Sequence, residues 1–140
     1  WGLDMTDEDD AYEAGLGFTV RLAKSVDFVG RDALAARKAA GRRRALAWAW
    51  LDDPAHVVLG KEPVRAAGEG GGAGAADEVV GYVRSAAYGY SVGHDLVSVM
   101  LPVELATPGT PLTIEWFGER LAATVVGDPI WDPAGERIRA

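Results

Sequence analysis

The sequence predicts a mainly β domain, an antiparallel Greek-key-like β-barrel of about six strands with one short N-terminal helix. Three observations carry that expectation. Large and small residues alternate with a period of two over 44–51, further short β-branched and aromatic runs follow between turn residues, and a single segment, 31–40, carries helix start and stop signals. One early helix followed by many short strands argues for a closed or sandwiched antiparallel barrel over an α/β fold.

Residues 1–29 read as a linker leading in from an upstream domain, and residues 30–140 as the barrel domain. Within the linker Gly15 and Gly17 permit close backbone approach, while Phe18, Val20 and Leu22 alternate with Thr19 and Arg21, which predicts a short strand. Gly30 is placed as an N-cap, Asp32 sits in the first helical turn, Arg37 and Lys38 sit in the last, and Gly41 follows as the C′ residue. In Leu46-Ala47-Trp48-Ala49-Trp50-Leu51 the large even-numbered residues share one strand face, so Trp48 and Trp50 are expected in the core, as is Trp116. Strands are also expected at 62–66, 78–84, 96–101, 111–117 and 120–126, with a tight hairpin at Gly118-Glu119. Pro63, Pro102, Pro108 and Pro111 fall near strand ends, where a missing amide donor does least harm.

A length of 140 residues fits one domain and suffices to bury a core. Because the chain has no cysteine, a disulfide framework and thiolate metal sites are excluded, and a reducing compartment fits. No apolar run approaches the roughly 20 residues that span a bilayer and no secretory leader is read, so no membrane association and a cytoplasmic location are expected. Beginning at Trp1-Gly2 without a methionine, the chain reads as a piece of a longer polypeptide. The net charge of −7 argues against nucleic acid, whose phosphates need a basic surface.

Arg42-Arg43-Arg44 reads as a solvated patch that favours the helix dipole. Asp7-Glu8-Asp9-Asp10 reads as a solvated connection, and without a glycine-centred ligand loop no metal is expected there. Gly68 to Ala73 satisfies the pattern G-x-G-x-x-A, yet a β-branched strand follows where a helix N-terminus would be needed to hold a pyrophosphate. Segment 67–77 is therefore read as a hairpin loop. His56 and His94 occur singly and read as structural histidines, and no Ser/His/Asp or Cys/His set can be assembled, so no catalytic residue is expected in this chain.

Several blocks recur in a recognisable order. They are Tyr12-Glu13-Ala14-Gly15-Leu16-Gly17-Phe18, Asp27-Phe28-Val29-Gly30-Arg31-Asp32-Ala33-Leu34, Leu59-Gly60-Lys61-Glu62-Pro63-Val64, Val80-Gly81-Tyr82-Val83-Arg84-Ser85, Leu101-Pro102-Val103-Glu104-Leu105 and Asp128-Pro129-Ile130-Trp131-Asp132-Pro133. Over essentially its whole length the chain resembles the C-terminal barrel domain of the glycine cleavage T-protein (aminomethyltransferase) family. Tyr88-Gly89-Tyr90 and the opening Trp1-Gly2-Leu3-Asp4-Met5-Thr6 look most like the FAD-dependent dimethylglycine and sarcosine dehydrogenases. Two departures stand out: Ala11 replaces a usual proline, and the glycine-rich loop at 68–76 is longer than usual.

The resemblance implies a barrel packed beside upstream folate-cradling domains of the same polypeptide, with FAD held earlier still and a small-molecule amine as the parent's substrate. It implies that the family's catalytic carboxylate lies outside this chain, and that the barrel helps to close a tetrahydrofolate chamber. A reduced pterin offers two apolar faces, a donor-rich edge and a carboxylate tail. The candidates are accordingly Tyr88 and Tyr90 for stacking or hydroxyl contacts, Arg84 for the tail, Glu13 for an amino edge, and Trp1 or Trp131 as chamber wall. Each has a plainer alternative: half-buried packing for the tyrosines, a local ion pair for Arg84, an interdomain salt bridge for Glu13. An aminomethyltransferase without flavin and a purely structural barrel remain the rival readings.

Overall fold

The computed structural model describes residues 2–67 and 78–139. Helix α1 (Arg31–Ala40) precedes strands β1 (Arg44–Leu51), β2 (Pro63–Ala66), β3 (Val79–Gly89), β4 (His94–Pro102), β5 (Pro111–Trp116) and β6 (Glu119–Val126). All neighbouring strands run antiparallel, and the order β1-β4-β3-β2-β5-β6 closes into a barrel through β6 and β1. With β1 beside β4 and β3 and β2 beyond it, the order is that of a Greek key. The expected fold class is thus the observed one.

The core occupies the bore, and its face on β1 is the reverse of the one expected. Ala45, Ala47, Ala49 and Leu51 point inward, whereas Trp48 and Trp50 lie half-buried on the outer surface. Register explains the choice. Ala47 lies opposite Val99 and Ala49 opposite Val97, so the alanines share the layer that the fully buried β4 valines fill. Even an eight-stranded barrel is only just wide enough for side chains to fill it, so six strands leave no space for indoles. The rest of the bore is packed with Val64, Val83, Leu101, Leu112, Ile114, Leu121 and Val125. Trp116 is intermediate: it packs against this cluster while its Nε1 donates to the Val57 carbonyl at 2.9 Å.

Helix α1 begins after Gly30, at φ +90°, and ends at Gly41, at φ +78°, as its glycine signals require. Strand β3 continues five residues past its expected end, to Gly89, where a Cβ would lie 2.7 Å from Val92 and 2.8 Å from Leu96. The β5–β6 turn is Phe117-Gly118, at φ +47° and +88°, one residue earlier than expected. Both residues having positive φ matches the type I′ turn that follows sheet twist.

The strand expected over 18–22 is absent. Gly17–Thr19 forms a turn of 3₁₀ helix, in which the Thr19 hydroxyl and amide both donate to the Leu16 carbonyl and Phe18 is 83% exposed. No barrel strand offers this segment a partner, so local bonds satisfy its backbone instead. Segment 68–77, which includes the glycine fingerprint, lies outside the described residues.

Candidate functional site

Two of the sequence candidates, Tyr90 and Trp131, line one cleft on the outer surface beside the β3–β4 hairpin, and a third, Tyr88, touches Tyr90 without lining it. Strand β3 ends at Gly89, and the amides of Val92 and Gly93 donate back to its carbonyl at 3.0 and 2.7 Å, so Tyr90 is carried outward at the tip. Tyr90 is 90% exposed and meets Tyr88 edge-on at 5.0 Å. Trp131 approaches from the C-terminal segment. Together with Trp48 of β1, Leu96 of β4, Ile130 and Asp128, Tyr90 and Trp131 line a cleft of about 410 Å³. Arg137 stacks its guanidinium over the Trp131 ring at 4.6 Å, a cation–π contact on the indole.

The cleft has the size and lining that could suit a small molecule. Its volume falls within the roughly 300–1,000 Å³ of ligand pockets, and an apolar lining with few polar groups is what such sites share. One phenol ring, of Tyr90, and two indoles, of Trp48 and Trp131, can offer π faces to a flat heterocycle, and the Asp128 carboxylate can accept from a donor-rich edge. Sequence reasoning missed Trp48 by assigning it to the core, and it passed over Asp128 within a block it had singled out. The alternation of alanines with indoles showed that one set faces inward, but only the narrow bore decides that it is the smaller one.

Glu13 and Arg84 are found elsewhere, in a buried ionic network that fastens the leading segment to the barrel. Arg44 of β1 donates to Glu13 Oε2 at 3.2 Å and to Asp9 Oδ1 at 3.1 Å, and Arg84 donates to the same Asp9 oxygen at 3.3 Å. The Asp9 side chain is fully buried and that of Glu13 is 5% exposed. A bulge explains Arg84: Val83 pairs with Val99 and Ser85 with Ser98, leaving Arg84 as the extra residue, free to turn toward Asp9. The Arg44 guanidinium is held above its ordinary pKa, first by the hydrogen bond to Glu13 and further by the charges of Glu13, Asp9 and Glu8, against the cost of burial.

The network extends along the leading segment. Asp4 Oδ1 accepts from the Ser85 hydroxyl at 2.5 Å and from the buried Ser98 hydroxyl at 3.2 Å. The Leu46 amide donates to the Glu13 carbonyl at 2.8 Å. The acidic run at 7–10 is therefore only partly solvated, since Asp9 is an interior ion-pair partner and Asp10 Oδ1 accepts from the amides of Tyr12 and Glu13. Trp1 lies outside the described residues.

Neither histidine joins a reactive set. His94 stacks flat on Trp50 at 4.5 Å, and His56 packs edge-on to Trp116, between Asp53 and Glu119. Among the described residues no cluster of three or more His, Asp or Glu side chains is arranged to hold a metal ion.

Fold and cleft define a class, a closed Greek-key barrel with an aromatic-lined cleft on its outer surface. The chain belongs to the family described as "Glycine cleavage T-protein C-terminal barrel domain", whose model matches residues 44–132. It is 32% identical to dimethylglycine dehydrogenase, mitochondrial, of Homo sapiens, over 99% of this chain and 15% of that protein. An aminomethyltransferase of Symbiobacterium thermophilum is 34% identical over 94% of this chain and 32% of its own length. The glycine cleavage system aminomethyltransferase T of Bartonella henselae superposes with a TM-score of 0.77 at 21% identity, over 91% of this chain and 34% of that one, and so shares the fold. The chain thus spans a minor part of each of these relatives.

Proposed function

We propose that this barrel is the C-terminal domain of a folate-linked, FAD-dependent N-methyl amine dehydrogenase of the dimethylglycine or sarcosine type. Its task is to close one side of a tetrahydrofolate chamber, and it supplies no reacting group. The observation that carries the reading is the convergence of Tyr90 and Trp131, chosen for the chemistry of a pterin, on one cleft with Asp128.

The residues fit a reduced folate as a wall fits its contents. Tyr90, Trp131 and Trp48 present flat apolar surface, Asp128 offers an acceptor, and the cleft is open on one side, where further domains would complete it. When bound, tetrahydrofolate supplies a nucleophilic nitrogen that captures the carbon released from the oxidised N-methyl amine. The contribution of Tyr90 and Trp131 is to orient the ring and exclude water, which would otherwise hydrolyse the electrophile to formaldehyde. FAD does not fit this domain: the sheet is wholly antiparallel, and no strand among the described residues leads into a helix whose N-terminus could hold a pyrophosphate. Flavin binding is therefore assigned to an upstream domain of the same polypeptide, and the proposed compartment is the cytoplasm.

The test uses the natural full-length polypeptide. Tyr90→Ala combined with Trp131→Ala should leave flavin reduction by the amine unchanged while diverting product from methylene-folate to free formaldehyde. Unchanged partitioning would remove the chamber role. Turnover of dimethylglycine or sarcosine by the 140-residue chain alone, with an electron acceptor, would contradict the non-catalytic reading. The rival reading, an aminomethyltransferase without flavin, is supported by the 34% identity to the Symbiobacterium enzyme. A full-length protein lacking a flavin absorption spectrum would decide for it.

A further inference from the structure

One wall of the aromatic cleft is held from behind by the segment that follows it. Trp131 is 47% exposed, and fixing a side chain that water can reach has to overcome its rotamer entropy. Segment 132–139 supplies a contact for it, past residue 132, where the match to the family model ends. Asp132 adopts φ +49°, a left-handed conformation that aspartate tolerates better than most residues, and its two carboxylate oxygens accept from the amides of Glu136 and Arg137, each at 2.9 Å. The Asp132 carbonyl accepts from the Gly135 amide at 2.8 Å. Arg139 closes the loop from its other end, the guanidinium donating to the Ala134 carbonyl and the amide to the Glu136 carbonyl. The chain is thereby folded back on itself, and the Arg137 guanidinium arrives 4.6 Å from the centre of the Trp131 ring.

Arg137 differs from an ordinary surface cation. Its guanidinium makes no hydrogen bond or ion pair with a described residue, so the indole is its recorded partner. Trp131 lines the cleft and Arg137 does not, which puts the cation on the side of the ring turned away from the cleft.

We infer that Arg137 is a positioning residue for ligand recognition: its guanidinium holds the Trp131 indole as a fixed wall of the cleft, and the loop closed by Asp132 presents it. The inference rests on the proposed function for the identity of the ligand, a reduced folate. One face of the indole is taken by the cation, so a flat ligand stacks on the other. An aromatic face is electron-rich, and a cation against one side draws that charge toward itself, which makes the opposite side a better surface for an electron-rich ring such as a reduced pterin. Ordering the ring before the ligand arrives also lowers the entropy lost on binding.

Two measurements test this, and the first needs no ligand. In the 140-residue chain, nitrogen relaxation of the indole Nε1–H groups reads the order of each tryptophan ring separately. Arg137→Leu, which keeps a side chain over the ring and removes the charge, should lower the order parameter of Trp131 and leave those of Trp48, Trp50 and Trp116 as they are. Arg137→Lys should restore it in part. An unchanged Trp131 value, or an equal fall at every indole, would overturn the inference. The second measurement is calorimetric titration of the natural full-length protein with tetrahydrofolate. Arg137→Leu should weaken binding about two- to fivefold, the worth of an exposed cation–π contact, with flavin reduction by the amine unchanged and most of the affinity recovered in Arg137→Lys. In a Trp131→Ala background Arg137→Leu should have no further effect, because the cation acts through the ring. A loss that persists in that background, or affinity that Arg137→Leu leaves untouched, overturns the inference alone. Failure of the unsubstituted full-length protein to bind tetrahydrofolate would instead overturn the proposed function, and with it the ligand named here.

Discussion

Replacing Arg44 with leucine isolates the energetic cost of the network that holds the leading segment. The guanidinium contacts Glu13 at 3.2 Å and Asp9 at 3.1 Å, with Glu13 5% exposed and Asp9 fully buried. Without Arg44, Asp9 keeps Arg84 at 3.3 Å and the Thr6 amide at 2.9 Å, whereas Glu13 Oε2 loses the guanidinium. Breaking a buried ion pair from one side costs about 3–5 kcal/mol, because it strands the other charge. Since the Arg44 side chain is 37% exposed, water already screens part of the interaction, and the expected loss falls to about 2–3 kcal/mol. For a domain of this size that corresponds to a melting temperature lower by about 8 °C. Glu13→Gln removes the charge and keeps the shape, so the double variant should recover part of the loss, giving a coupling energy of about 1–2 kcal/mol. Urea unfolding followed by tryptophan fluorescence measures all four corners of the cycle. If Arg44→Leu lies within about 0.5 kcal/mol of the parent, the ionic network holds nothing and the argument from burial is wrong.

Other outcomes follow from packing and from the cleft. Gly81→Ala should cost about 3 kcal/mol, because a Cβ there would lie 2.4 Å from the Met100 carbonyl oxygen, whereas Gly127→Ala, with nothing within 4 Å, should change thermal stability by less than about 0.5 kcal/mol. Ala49→Leu forces bulk into the filled bore and should cost about 2 kcal/mol, more than Trp50→Leu, which gives up a surface stack on His94 worth about 1 kcal/mol; the opposite ranking in paired melts would contradict the assignment of faces. In the full-length protein Asp128→Asn should weaken reduced-folate binding about tenfold, or about 1.4 kcal/mol, as titration calorimetry would read it.

Much of the fold was legible because strand formation depends on local alternation. The period of two over 44–51 announces β1, and glycines and prolines bracket the later strands within a few residues. Which face of β1 points inward is a different kind of fact. It is decided by the bore diameter and by the valines of β4 across the ladder, and neither is visible in the eight residues of the strand. Strand β3 outran its expected end because Gly89, which reads as a breaker, fits a place where a side chain would strike Leu96. The segment at 18–22 has strand periodicity and no partner strand, and periodicity without a ladder yields only a turn.

The site divided along similar lines. Tyr90 and Trp131, read as candidates from chemistry and family likeness, sit in contiguous blocks and line one cleft. Their meeting with Trp48 and Leu96 depends on barrel closure. The ion pairs of Glu13 and Arg84 were not legible because their partners are distant in sequence: Arg44 is 31 residues from Glu13, and Asp9 is 75 from Arg84. Long-range ion pairs of this sort leave no periodic trace.

Closure of β6 onto β1 has a consequence for assembly beyond the cleft it shapes. Open sheets expose rows of unsatisfied amides and carbonyls that recruit foreign strands, a hazard that rises when several domains emerge in tandem from the ribosome. A sheet sewn into a ring presents no such seam, so this module is protected against strand exchange with neighbours in a long polypeptide. In a longer polypeptide, contacts with neighbours would then fall to side chains and loops, which can diverge without unpicking the ring.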